Sequence, residues 1–171
     1  RQRQMCIRDR DKYQKTLNSE TSFSGVGLHS GIKVDVTLIP GNSNSGIVFK
    51  RIDLEKDNEI VANFKNVSSA KLCTKIENNH GVSVSTIEHL LAAFYVCGID
   101  NIIVNLNGPE VPIMDGSAKE FVKIINEIGL KTLEGKRKFV RVKKSVELKK
   151  EDGRSISAVS YTHLRAHETS L

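Results

Sequence analysis

In the run VSVSTIEHLLAAFYVCGIDNIIV, residues 82–104, Glu88 and His89 stand side by side where an apolar helical pattern begins. The positive end of a helix dipole disfavours imidazolium, which keeps a histidine neutral and able to bind a metal ion. A carboxylate nearby can take a proton from metal-bound water. Adjacent helical residues point about 100° apart, so the geometry favours one ligand and one base over two ligands. The same glutamate has a structural reading. Ser85-Thr86-Ile87-Glu88 fits the capping box, in which Ser85 bonds the Glu88 amide and Glu88 reaches back to Ser85. Pattern alone favours that cap, and it leaves open a non-catalytic α/β binding module in which Glu88 only starts a helix.

The remaining chemistry-bearing residues have plain readings from their own context. His29 reads as a loop histidine and His80 as a solvated turn residue. Cys6, Cys73 and Cys97 are odd in number, far apart and without a C-x-x-C, which argues against a disulfide framework or a Cys-rich zinc site. A reducing cytoplasm fits them, with Cys73 and Cys97 as small buried hydrophobes. Gly25-x-Gly27, followed by Gly31, precedes a strand rather than a helix, so it lacks the context of a phosphate cradle. His163 and His167 have the four-residue spacing of helical metal ligands. They lie in a stretch, 158–171, that follows no period, as does 1–10; both are expected to be non-native tails.

The elements that must position these residues are legible between the tails. Val34, Val36 and Leu38 alternate with Lys33, Asp35 and Thr37, the period of a half-buried strand. The turn cluster Pro40–Gly46 leads to a strand from Ile47, and EIVANFKNV and KLCTKIE read as two more. NNHG (78–81) reads as a hairpin turn into VSVS. A helix is expected over Thr86–Cys97, with Ile87, Leu90, Leu91 and Phe94 as its stripe and Gly98 as its stop. NIIVNLN is a strand, and PEVPIMDGS a rigid loop. A second helix is expected over Ser117–Ile128, with Ser117 as cap, Glu120 three residues on, and Phe121, Ile124, Ile125 and Ile128 buried. KTLEGKRK reads as a charged linker, and FVRVKKSVEL as the opening strand of something further.

Composition sets the class. With 171 residues, 39% hydrophobic and 27% charged, the chain suits one ordinary domain and the start of a second. No apolar run approaches the roughly 20 residues of a membrane span. The net charge is +6, but residues 1–10 carry four arginines against Asp9, which is +3 of it. The rest is interspersed and lacks aromatic interleaving, so nucleic acid is set aside.

Four blocks, SGVGLHSG, KLCT, VSTIEHLLAAFYVCGIDNIIV and GPEVPIMDGSAKEFV, occur in an order and spacing that resembles the UDP-3-O-acyl-N-acetylglucosamine deacetylase family, over about residues 12–157. Those are zinc (Zn2+) enzymes of lipid A synthesis that act on UDP-3-O-acyl-N-acetylglucosamine. The resemblance implies Glu88 as general base, His89 as a zinc ligand, His29 as a substrate contact, and Leu72, Cys73 and Thr74 beside the acyl-bearing part of the substrate. It implies a supporting role for Asp115 behind the site. It further implies that two zinc ligands, a histidine acid and a threonine oxyanion donor come from a second domain, of which this chain holds only a first strand. The expected division is a tail at 1–10, an N-terminal domain at 11–133, linker and strand at 134–157, and a tail at 158–171. The fragment alone is then expected to be inactive and to expose its domain interface as an apolar patch. The expected fold is α+β: a mostly antiparallel sheet with two amphipathic helices on one face, and a small strand insertion around 47–77.

Overall fold

Alternation in the central strands sets the architecture, because each buries one row of side chains and must find a layer to cover it. The computed structural model describes residues 12–138 and 142–159. The expected tail at 1–10, most of that at 158–171, His163, His167 and Val140 lie outside the described residues. The strands are β1 (Tyr13–Leu17), β2 (Thr21–Val26), β3 (Lys33–Pro40), β4 (Ile47–Arg51), β5 (Glu59–Val61), β6 (Val67–Ser69), β7 (Lys75–Glu77) and β8 (Ser83–Val84). Then follow α1 (Glu88–Cys97), β9 (Ile102–Leu106), α2 (Lys119–Ile128), β10 (Leu130–Lys136), β11 (Val146–Lys149) and β12 (Ser155–Ala158).

The main sheet has the order β2-β3-β9-β4-β5. All its pairings are antiparallel except β4 with β9. Val34, Val36 and Leu38 of β3 and Ile102, Val104 and Leu106 of β9 are all buried on one face. Leu90, Ala93 and Phe94 of α1 and Phe121 and Ile125 of α2 close over that face in the same core. The Phe121 ring lies 5.4 Å from that of Phe23, tilted by 58°. Each such side chain removed from water contributes about 2 kcal/mol. The class is therefore the expected α+β, rich in antiparallel pairs.

Three expectations need correcting. β4 and β5 extend the main sheet rather than forming an insertion; the separate small sheet is β6-β7-β8. EIVANFKNV is not one strand, since a 3-10 turn at Phe64–Asn66, capped by the Asn63 side chain, divides it. KTLEGKRK is not a linker: through Lys136 it forms β10, paired antiparallel with β1. Local pattern hides that strand because its partner lies at the opposite end of the sequence. Gly98, at φ +80°, and Gly129, at φ +76°, end the two helices as expected.

Residues from Lys138 onward make a second unit. Its described part is the β11–β12 hairpin, in which Val146 pairs with Ala158 and Leu148 with Ile156. Ala158 thus belongs to a strand.

Candidate active site

The start of α1 is built by its neighbours in space. Ser85 lies between β8 and the helix, and its backbone pairs with the loop after β9. Its N–H donates to the Pro109 carbonyl at 3.0 Å, and its carbonyl accepts from Val111 N–H at 3.1 Å. Thr86 then takes the left-handed conformation, φ +57°, which is unusual for a β-branched residue. The helix begins two residues later.

This geometry dismantles the capping box. Ser85 Oγ donates to Pro109 O at 3.3 Å instead of accepting the Glu88 amide. Ile87 holds the cap position and makes no side-chain cap bond. Glu88 does not reach back either: its Oε2 accepts the Thr74 N–H at 3.0 Å. The carboxylate therefore ties α1 to the KLCT segment. His89 follows it in the first turn, and both side chains are half-buried.

The KLCT segment is a loop ahead of β7 rather than part of a strand. Leu72 sits at φ +68° and is 86% exposed. Cys73 is half-buried, which corrects its expected burial, and so is Cys97, whose thiol is pushed up by burial. Thr74 gives its amide to Glu88, and its carbonyl accepts the Ile87 N–H at 3.5 Å.

His29 sits exposed in the connection between β2 and β3. Its N–H donates to both oxygens of Glu110, at 3.1 and 3.2 Å, and the Ser30 N–H to Glu110 Oε2 at 2.7 Å. Thr86 Oγ1 donates to Glu110 Oε1 at 2.7 Å. Glu110 is 1% exposed. Burial alone would raise its pKa, but the side chains of Thr86 and Ser30 and the amides of His29 and Ser30 outweigh it and hold the carboxyl at about 2. A Cβ on Gly27 would lie 2.5 Å from Glu110 Oε2, and one on Gly25 2.7 Å from the Pro112 side chain. The glycines that superficially suggest a phosphate loop are there to let the 109–114 loop approach β2.

The structure thus joins Thr74 directly to Glu88, and brings His29 to the segment leading into Glu88 through Glu110 and Thr86. Asp115 makes its bonds within its own loop. It is exposed, and its Oδ1 accepts the Ser117 N–H at 2.9 Å and hydroxyl at 2.8 Å. Those bonds, the backbone one foremost, hold its pKa below the ordinary value. Ser117 Oγ in turn accepts the Lys119 N–H at 3.1 Å. The second expected capping box is therefore replaced by a turn, and α2 starts at Lys119. Sequence reasoning missed Glu110; its one signal was an acid between two prolines in the otherwise apolar run GPEVPIM.

Among the described residues, no three His, Cys, Asp or Glu side chains gather closely enough to hold a metal ion. His80 is exposed, as expected, 3.6 Å from Asp57 in a polar cleft that does not include Glu88 or His89. No helix among those residues is long and apolar enough to cross a membrane.

Comparison with known proteins adds to the geometry. A family model described as UDP-3-O-acyl N-acetylglycosamine deacetylase matches residues 14–169. A UDP-3-O-acyl-N-acetylglucosamine deacetylase from Geotalea uraniireducens is 51% identical over 142 residues, 83% of this chain and 46% of that protein. One of the same description from Wigglesworthia glossinidia brevipalpis is 48% identical over 140 residues, 81% of this chain and 47% of the relative. Another, from Pseudoalteromonas atlantica, is 41% identical over 155 residues, 91% and 49% respectively. The chain spans about half the length of the curated relatives it matches.

Proposed function

The chain belongs to the UDP-3-O-acyl N-acetylglycosamine deacetylase family, and on that premise we propose that it supplies the Glu88–His89 part of a zinc-dependent amide hydrolase. The reaction is removal of the N-acetyl group from UDP-3-O-acyl-N-acetylglucosamine in lipid A synthesis, in the cytoplasm. One observation carries the role of Glu88. Its Oε2 is held by the Thr74 amide across the loop rather than by its own helix end, and Oε1 has no protein donor among the described residues. A half-buried carboxylate fixed at one oxygen and open at the other suits a group that takes a proton from water as it attacks an amide.

Zinc is a separate matter. A catalytic zinc takes three protein ligands and keeps one position open. His89 is the imidazole at this site, and the described residues do not assemble two more ligands around it, so by themselves they do not fit the ion. We place the remaining ligands, the oxyanion donor and the general acid in the half of the protein that the relatives have and this chain does not match. We read the β11–β12 hairpin as the opening of that lobe, and deacetylation as needing both halves. His29 and the loop Leu72-Cys73-Thr74 border the substrate, with the exposed Leu72 toward the acyl chain. Asp115 supports the site through the turn it forms ahead of α2.

The test joins this chain to the second half of the Geotalea relative and measures deacetylation. Glu88→Gln should lower kcat by about 10²–10⁴-fold, with far-UV circular dichroism unchanged. Full activity in that variant would refute the assignment.

A further inference from the structure

We infer that Glu110 is the positioning residue for Glu88 and His89: through the Thr86 hydroxyl it fixes the start of α1 against the turn that carries His29. The inference rests on the reading of Glu88 as proton acceptor and adds what holds that group in place.

Three chain segments meet on this one carboxylate. The connection 27–32 gives it the His29 and Ser30 amides, the approach to α1 gives it the Thr86 hydroxyl, and its own loop holds Ser85 by backbone bonds on either side, from Pro109 and Val111. Bonds to an ionised acceptor are stronger than neutral ones. Thr86 supplies the second observation. A β-branched residue at φ +57° persists only where its surroundings over-determine it. That left-handed step separates Ser85 from the helix, and Glu88 lies two residues beyond it, bonded to Thr74. Were Glu110 to release Thr86, the backbone could relax toward an ordinary cap, with Ser85 and Glu88 closing on each other. Gly27 shows how closely the first segment is fitted, since any Cβ there would strike Glu110 Oε2 and Ser30 Oγ.

The test follows the amide of Thr74, which Glu110 does not touch, by hydrogen exchange in the 171-residue chain. Glu110→Gln keeps the side-chain shape but removes the charge, and with its oxygen on the Ser30 amide its NH2 takes the Oε1 position, facing the His29 N–H and reversing the bond with the Thr86 hydroxyl. It should speed Thr74 exchange by about tenfold or more relative to Val104 in the core, which reports folding. Thr86→Val removes one hydroxyl at nearly constant shape and should do the same, while Thr86→Ser should restore protection. Unchanged Thr74 exchange in folded Glu110→Gln overturns the inference, and if that variant does not fold, unchanged exchange in Thr86→Val overturns it equally. Joined to the relative's second half, Glu110→Gln should lose kcat with KM unchanged; a folded variant with full kcat also overturns it. Glu88→Gln in the same assay separates the two readings. Full kcat there refutes the base role, and Thr74 exchange then judges Glu110 alone.

Discussion

Replacing Glu110 with glutamine should destabilise the fold by an amount that depends on pH, and the structure gives both the size and the sign. The carboxyl is held at about 2 in the folded chain against an ordinary value of 4.5. Because the folded value is the lower one, the contribution is complete above pH 4.5 and is lost as pH falls toward 2. The difference corresponds to about 3 kcal/mol at neutral pH, falling to about 1.5 kcal/mol at pH 3. A protonated glutamic acid is close to glutamine in shape, so wild type and Glu110→Gln should converge across that window. Urea unfolding followed by circular dichroism at pH 7, 5, 4 and 3 measures it. A stability difference that stays constant from pH 7 to 3 would refute the argument, because the ionised carboxylate would then not be what the His29, Ser30 and Thr86 donors hold.

Other substitutions probe the frame around the site. Leu90→Ala should cost about 2–5 kcal/mol by urea unfolding, since Leu90 is fully buried between α1 and the sheet. Asp100→Ala should cost about 3 kcal/mol in the same measurement. It strips the mostly buried Arg137 of its partner at 2.7 Å and the Lys15 amide of its acceptor, loosening the β1–β10 pair. Gly27→Ala should cost about 1–3 kcal/mol by crowding Ser30 and Glu110. Gly31→Ala, with open space around it but φ +66°, should cost only about 1 kcal/mol.

The periodic elements were legible from sequence because burial on one face writes itself into spacing. The alternation in β3, the Leu90 and Phe94 stripe of α1 and the Phe121–Ile125 face of α2 each mark a surface that must meet the core. Helix ends at Gly98 and Gly129 were legible for a local reason, since a positive φ favours glycine. β10 was not, because its charged residues face water and only pairing with β1, more than a hundred residues earlier, makes it a strand.

At the candidate site the division is sharper. Sequence determined that a glutamate and a histidine open the first buried helix, and that the blocks around them follow a family order. It could not determine whether that glutamate closes the helix end, because Ser-x-x-Glu satisfies a cap just as well. Tertiary structure decided that, by sending Ser85 to Pro109 and Glu88 to Thr74. The reason is that a backbone donor brought close by the fold competes on equal terms with one three residues away, and only the assembled chain says which is near.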